Sequence, residues 1–265
     1  MSKSIGIIPA RYASARFPGK CLFEIAGKPL VQWVVERAKK AKSLAEVIVA
    51  TDDERIAKAV KGARVVMTSP NHPSGTDRLA EVAAKIECDI VVNIQGDEPL
   101  IGIEMIDQMV EVLGSGFRVL GSEKPRAENR EPRTQPPSMV TWAQKISRRE
   151  DVENPNIVKV VFDKNGDALY FSRWPLPFVR DKNERAEFYR HFGIYAYRRD
   201  FLLQYVKMPQ TPLEKAEKLE QLRALENGHK IRVLLTEHES VGVDTPEDVA
   251  KVEKLLATNY TNKHE

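Results

Sequence analysis

The hydrophobic positions before residue 114 follow two different periods. Short, nearly continuous apolar runs are typical of strands covered on both faces, and apolar positions three and four residues apart predict amphipathic helices. The runs predict strands at residues 4–8, 46–50, 64–68 and 89–94, and the wider spacing predicts helices at 28–42, 53–60, 74–86 and 103–113. This alternation predicts an α/β protein with a βαβ-type parallel sheet, whose ligands bind at the carboxyl ends of the strands.

The pattern changes in residues 114–138, which are rich in Pro, Arg and Glu and offer little to bury. We interpret this segment as a mobile surface excursion and not as a second domain. Asn165-Gly166 lies between two apolar runs and predicts a hairpin. The rest of the chain predicts strands at 139–146, 157–162, 168–172, 191–198 and 231–235, a long helix at 213–226, and a last helix starting at Thr245.

The composition narrows the classes of function. The 265 residues include 41 Lys and Arg against 38 Asp and Glu, a formal charge of +3. This balance gives no reason to expect nucleic acid or a membrane surface as a partner, so anion binding has to come from local clusters. Cys21 and Cys88 have no metal-ligand spacing. No signal peptide and no membrane-spanning run is recognisable, so we expect a cytoplasmic protein.

The loop that follows the first strand carries Arg11, Ser14, Arg16 and Lys20. Arginine matches phosphate oxygens with a fork of donors and lysine adds a mobile point charge, so this loop suits a chain of phosphates. It is neither a Walker P-loop nor a Rossmann glycine fingerprint. A solvated basic loop is the alternative.

Three further segments combine polar residues with strand ends or helix starts. Gln95-Gly96-Asp97 ends a buried strand, and we favour Asp97 as a Mg²⁺ ligand over a simple turn residue. Asp244 offers a second carboxylate, although capping of the last helix explains it equally well. In the segment Ser74, Gly75, Thr76, Asp77 and Arg78, a helix start explains most residues, and Arg78 alone suits reading a base. The sequence does not decide between these two roles.

Five polar residues of the second half are set in apolar surroundings: Arg173, His191, Tyr195, Glu220 and Gln221. His191 and Tyr195 are four residues apart on a predicted strand, which places them on one face. A structural histidine and the solvated face of a helix are the ordinary explanations for His191 and for Glu220-Gln221. None of the five identifies a site alone.

Together these segments resemble the 3-deoxy-manno-octulosonate (Kdo) cytidylyltransferases. The opening loop and Gln95-Gly96-Asp97 are shared more widely among sugar nucleotidyltransferases, whereas three later blocks are specific to the Kdo enzymes. Those blocks are Tyr170-Phe171-Ser172-Arg173, His191-Phe192-Gly193-Ile194-Tyr195 and Leu219-Glu220-Gln221-Leu222-Arg223. The resemblance covers nearly everything except 114–138 and the tail. Ala13 and Cys21 depart from the usual family residues.

The resemblance implies a fold and a role for each matching residue. The fold would be a Rossmann-like nucleotide-diphospho-sugar transferase fold, with a mostly parallel central sheet, helices on both faces and a smaller β-rich region for dimerisation and sugar binding. Lys20, Arg16 and Asp97 would be catalytic, and Asp97 and Asp244 would bind Mg²⁺. The CTP ligands would be Arg11, Ser14, Arg16, Lys20, Ser74, Gly75, Thr76, Arg78 and Gln95, and the Kdo ligands would be Arg173, His191, Tyr195, Glu220 and Gln221, with the carboxylate of Kdo nearest Arg173.

The activity implied is transfer of CMP from CTP to the anomeric C2 hydroxyl of Kdo, for lipopolysaccharide biosynthesis. One domain would contain a nucleotide-binding half (1–113) and a half for sugar binding and dimerisation (139–265), forming a homodimer. A cytidylyltransferase for 8-amino-Kdo or a sialic acid is the alternative within this class. Two alternatives lie outside this class of enzyme. A glycosyltransferase would use a two-Asp motif in place of the Arg/Lys loop. A catalytically silent nucleotide-binding paralogue would lack Lys20 or an Asp.

Overall fold

The computed structural model describes residues 2–13, 17–114, 137–181, 183–238, 242–243 and 245–261. The strands are β1 (Ser4–Ala10), β2 (Glu24–Ile25), β3 (Lys28–Pro29), β4 (Glu46–Thr51), β5 (Arg64–Met67), β6 (Ile90–Asn93), β7 (Met139–Lys145), β8 (Lys159–Phe162), β9 (Ala168–Ser172), β10 (Tyr189–Arg198) and β11 (Ile231–Leu235). The helices are α1 (Leu30–Ala38), α2 (Glu54–Ala59), α3 (Gly75–Lys85), α4 (Ile103–Gly114), α5 (Arg149–Glu153), α6 (Arg199–Tyr205), α7 (Pro212–Glu217), α8 (Leu222–Glu226) and α9 (Pro246–Thr261). The predicted α/β class is confirmed, and the predicted excursion lies almost wholly outside the described residues.

These elements form two compact units, one within Met1–Gln108 and Glu239–Glu265 and the other within Met109–His238. The sequence had placed everything after residue 138 in one half, whereas α9 belongs with the first unit. There Val249 and Val252 of α9 are buried in one cluster with Ile25 and Leu30. No helix in the described part of the chain is both long and apolar enough to cross a lipid bilayer.

The sheet of the first unit is parallel, as the alternating pattern predicts. β1 lies between β4 and β6, and β5 continues the sheet beyond β4. Every residue of β6 is buried, which explains its continuous apolar run. Ala10 at the end of β1 pairs with Thr51 at the end of β4, and Ile7 pairs with Asn93 at the end of β6. The loops that follow these strands therefore leave the sheet at one edge.

The second unit has a mixed sheet. β7 pairs in parallel with β11 and antiparallel with β10, whose register shifts between Phe192 and Tyr195. β8 and β9 form the hairpin that Asn165-Gly166 predicts, and Gly166 has the positive φ of 78° that favours glycine. The prediction of one long helix at 213–226 is wrong.

Two short helices, α7 and α8, replace it, because Lys218 takes a left-handed conformation (φ 54°, ψ 45°) that ends α7. Glu220 and Gln221 consequently lie in the link between two helices and not on one helix face. α5, α6 and β2 lie where the sequence predicted no element, and β3 takes the first two residues of the helix predicted at 28–42.

Candidate functional site

A cavity of about 280 Å³ opens in the first unit at the carboxyl ends of β1 and β6. It brings together most of the residues that the sequence assigned to nucleotide and metal. The predicted residues among its lining are Arg11, Lys20, Ser74, Gly75, Arg78, Gln95 and Asp97. Thr76 is buried and does not line the cavity. Ser14, Arg16 and Asp244 lie outside the described residues.

Close approach of two strand ends forms the floor of this cavity. A Cβ atom on Gly96 would lie 3.1 Å from the carbonyl oxygen of Pro9, so a larger residue would push the segment after β6 away from β1. Lys20 follows Gly19, which has a φ of 73° and donates its backbone N–H to Tyr12 O at 2.9 Å. These two glycines allow the basic loop and Asp97 to reach one another.

Lys20 and Asp97 form the charged centre of the cavity. Lys20 Nζ donates to Asp97 Oδ2 at 2.6 Å, and the lysine side chain is 13% exposed against 31% for the aspartate. Burial and the charge of Asp97 raise the pKa of the neighbouring Cys21 thiol to about 11, so this thiol carries no charge at neutral pH. Charge at this point is therefore provided by the ion pair.

Arg78 is held rigidly in the wall of the cavity. Its side chain is buried, donates through Nη1 to Thr68 Oγ1 at 2.5 Å, and lies 3.2 Å from Asp52 Oδ1. Ser74 caps α3 and accepts from Asp77 N at 3.2 Å. The helix start that the sequence offered is therefore present at Ser74, Arg78 lines the cavity, and reading of a base by Arg78 stays a prediction.

His72 also lines this cavity and was missed by the sequence reasoning. Its Nε2 lies 2.6 Å from Glu81 Oε2, and Glu81 also accepts from Lys85 Nζ at 2.6 Å and Ser69 N at 2.9 Å. Hydrogen bonds from Lys85, His72 and Ser69 lower the pKa of Glu81 to about 2. The only signal for His72 in the sequence was its position two residues before Ser74.

The carboxylate donors suit a hard cation that takes most of its ligands from phosphate and water. Within the described ranges no group of three or more His, Cys, Asp or Glu side chains forms a metal site. Asp97 supplies one partly exposed carboxylate. Val243, the residue before Asp244, donates its backbone N–H to Asp97 O at 2.9 Å. One or two carboxylates beside phosphates is the ligand set that Mg²⁺ prefers.

The second unit has its own cavity of about 410 Å³. Among the residues predicted to hold the sugar acid, His191, Tyr195 and Gln221 line it. The rings of His191 and Tyr195 have centroids 5.4 Å apart, as expected for residues on one face of β10. Burial lowers the pKa of His191 to about 3, so the ring is neutral at neutral pH.

The break between α7 and α8 presents Gln221 to this cavity. Gln221 is 5% exposed, and its Nε2 has no hydrogen-bond partner among the described residues. Tyr205 fixes the link by donating its hydroxyl to Glu220 O at 2.5 Å. A buried amide N–H group without a partner costs free energy, so Nε2 of Gln221 is available to donate to a ligand.

Arg173 does not line the cavity. Its guanidinium donates to the backbone carbonyl oxygens of Glu217 at 2.9 Å, Pro155 at 3.1 Å and Lys218 at 3.5 Å. Arg190, which the sequence reasoning did not select, does line the cavity, and its guanidinium carbon lies 4.6 Å from the Phe192 ring centroid. Neither its position on β10 nor its charge distinguished Arg190 from other arginines in the sequence.

Lys159 supports one wall of the second cavity from behind. It is fully buried, and Nζ donates to Ile157 O at 2.6 Å, Arg173 O at 2.6 Å and Asn154 O at 3.0 Å. Burial lowers its pKa, and the charge of Glu217 opposes that effect. All three ammonium protons are used, so Lys159 holds the backbone at Asn154, Ile157 and Arg173 together.

Comparison with known proteins gives one consistent family. Residues 5–231 match the family model described as "Cytidylyltransferase". A 3-deoxy-manno-octulosonate cytidylyltransferase of Geobacter metallireducens is 54% identical over 267 residues, covering 96% of this chain and 98% of that protein. The protein of the same name from Geobacter sulfurreducens is 55% identical, covering 94% and 98% respectively.

A solved structure supports the same family. A CMP:2-keto-3-deoxy-manno-octonic acid synthetase, complexed with CTP, is 42% identical and superposes with a TM-score of 0.86, covering 97% of this chain and all of that chain (100%).

Proposed function

The chain belongs to the cytidylyltransferase family, among the 3-deoxy-manno-octulosonate cytidylyltransferases, and from this premise we propose that it transfers CMP from CTP to Kdo. It is thus a nucleotidyltransferase that produces CMP-Kdo and pyrophosphate. The observation that carries the proposal is the cavity of the first unit, where Lys20 and Asp97 meet beside Arg11 and Arg78. Cations beside one carboxylate suit a metal-bound triphosphate.

Within the first unit, the triphosphate and the cytosine have matching donors. Arg11 and Lys20 bind the triphosphate, together with Ser14 and Arg16 as the sequence predicts. Arg78, held by Thr68 and Asp52, donates to the cytosine carbonyl, since a rigid guanidinium loses little entropy on binding. Ser74, Gly75 and Gln95 complete the nucleotide-binding set, and binding by Thr76, which does not line the cavity, stays a prediction from the sequence.

Asp97 and Asp244 are the residues that would hold Mg²⁺. The backbone contact between Val243 and Asp97 supports a shared role for these two segments. When bound, the ion supplies neutralisation of phosphate charge. With Asp97 holding the ion, Lys20 would be available to pair with a phosphate oxygen of CTP.

The cavity of the second unit binds the sugar acid. His191, Tyr195 and Gln221 offer neutral hydrogen-bonding groups to the hydroxyls of Kdo, and Glu220 belongs to the same link between α7 and α8. The carboxylate needs a cation, and Arg190 is the positively charged side chain among the described residues that line this cavity. Carboxylate binding by Arg173 stays a prediction from the sequence.

The reaction is an in-line displacement at phosphorus. The anomeric C2 hydroxyl of Kdo attacks the α-phosphorus of CTP, the bond to the β-phosphate oxygen breaks, and pyrophosphate leaves. Positioning and charge stabilisation by Lys20 and the arginines account for catalysis without a covalent intermediate.

A homodimer and a role in lipopolysaccharide biosynthesis are further parts of the proposal. Trp174 and Phe178 of the second unit are 76% and 83% exposed, which supports an apolar contact between two copies. Light scattering measures the mass directly. The expected cytoplasmic location stays a prediction.

The experiment is pyrophosphate release with CTP and a panel of sugar acids, with and without Mg²⁺. We expect release with Kdo and Mg²⁺, and the product to be CMP-Kdo by mass. The panel includes 8-amino-Kdo and N-acetylneuraminic acid. A higher kcat/KM for either would replace Kdo as the substrate, and no release with any sugar acid would reject the proposal.

A further inference from the structure

Thr141 connects β7 to the imidazole of His191. It is fully buried and faces the irregular part of β10. Its Oγ1 lies 2.8 Å from Ile194 O, 3.0 Å from Phe192 O and 3.0 Å from His191 Nε2. One hydroxyl group thus has three polar neighbours at hydrogen-bond distance.

Counting protons decides how these contacts are arranged. The two carbonyl oxygens only accept, and the hydroxyl has a single proton to donate. When that proton goes to a carbonyl, the lone pairs of Thr141 Oγ1 remain for His191. Donation to the imidazole instead would leave lone pairs of Oγ1 facing both carbonyl oxygens in a buried site, which is costly. The favourable arrangement therefore has a proton on Nε2 of His191.

The ring has no second proton. Burial lowers the pKa of His191 to about 3, and the rings of Phe171 and Tyr195 flank it with centroids 5.0 and 5.4 Å away. A neutral imidazole with its proton on Nε2 has an unprotonated Nδ1, which only accepts.

We propose that Thr141 is a positioning residue that fixes His191 as the Nε2–H tautomer, so that Nδ1 accepts a hydrogen bond from a hydroxyl of the sugar acid. This inference rests on the proposed function for the identity of the sugar. It assigns a hydroxyl, and not the carboxylate, to His191, because a carboxylate offers no proton. The cationic partner of the carboxylate is then a different residue.

The first test reads the tautomer without any ligand. A long-range ¹H–¹⁵N correlation spectrum of ¹⁵N-histidine-labelled protein at pH 7 distinguishes the two neutral tautomers from the imidazolium, and His191→Gln assigns the signals. We expect the Nε2–H pattern. An Nδ1–H pattern or an imidazolium would overturn the inference, whatever the substrate is.

The second test uses Thr141→Val, which has nearly the same shape without the hydroxyl, and Thr141→Ser, which keeps it. Loss of one orienting hydrogen bond should raise the KM for Kdo about tenfold in the valine variant. The serine variant should stay within about threefold of wild type, and the KM for CTP should not change in either. An unchanged KM for Kdo in Thr141→Val would overturn the inference. Absence of CMP-Kdo formation by wild type would instead reject the proposed function, which the spectrum does not test.

Discussion

Lys20 Nζ lies 2.6 Å from Asp97 Oδ2, although the two residues are 77 positions apart in the chain. Each comes from a loop that follows a parallel strand, and each side chain is less than one-third exposed. This partly buried pair places one positive and one negative charge at the site where a metal ion and a polyphosphate would bind. The relation between these residues yields the first prediction.

Asp97→Asn should lower kcat/KM for CMP-Kdo formation by about 100-fold or more, since the amide keeps the shape but not the charge that a metal ion needs. Steady-state assays over a range of Mg²⁺ concentrations measure the effect. Raising Mg²⁺ should not restore the rate. Asp200→Asn is the matched control, because that side chain is 99% exposed. Activity of Asp97→Asn within a few-fold of wild type at saturating Mg²⁺ would reject the metal assignment.

The two arginines of the second unit should respond differently to replacement by methionine. Arg190→Met should raise the KM for Kdo by about 10- to 100-fold without changing the KM for CTP, because a charged hydrogen bond to the carboxylate is lost. Arg173→Met should mainly lower the free energy of unfolding, because three backbone carbonyls lose their donor. Kinetics and urea denaturation of both variants separate these effects. The opposite pattern would restore Arg173 as the carboxylate ligand.

The sequence predicted the first cavity better than the second for a physical reason. Strand ends of a parallel sheet meet at one edge, so Lys20 and Asp97 were expected to converge once the βαβ order was recognised. The second cavity depends on a backbone conformation that the sequence does not signal. Lys218 has a left-handed φ that is unusual outside glycine, and the apolar spacing around it resembles one continuous helix. Arg190 contributes through a strand position that only the register of β10 reveals.

The buried pair Arg223–Glu214 should contribute strongly to stability. Arg223 donates through Nε at 2.8 Å and Nη2 at 2.5 Å to the two carboxylate oxygens, and this bond raises the pKa of Arg223. Arg223→Met removes the cationic partner of the buried Glu214 and leaves it, among the described residues, only the backbone N–H of Thr211, which should cost about 3–5 kcal/mol of unfolding free energy. Urea denaturation at pH 7 measures it.

Arg149→Ala is the matched control for that variant, because its ion pair with Glu153 is 3.5 Å long and exposed. We expect it to change the unfolding free energy by less than about 0.5 kcal/mol. The double variant Glu214→Leu/Arg223→Met should recover most of the loss, since it removes the unpaired charge. Equal, small effects of Arg223→Met and Arg149→Ala would contradict the prediction.

Stability should fall below neutral pH because of His191. Its pKa is about 3 in the folded protein against an ordinary 6.5, and the groups that face the ring, Thr141, Phe171 and Tyr195, are uncharged. Between these two values the unfolded chain binds a proton that the folded chain does not, so this contribution is complete above pH 6.5 and is lost as the pH falls. From pH 7 to pH 5 the loss has a ceiling of about 2 kcal/mol, and the partly exposed edge of the ring should reduce it to about 1 kcal/mol.

Urea denaturation of wild type and His191→Gln at both pH values isolates the effect, since glutamine does not titrate and every other group is shared. The advantage of wild type over the variant should shrink on acidification; an advantage that stays constant would mean that His191 titrates normally in the folded protein.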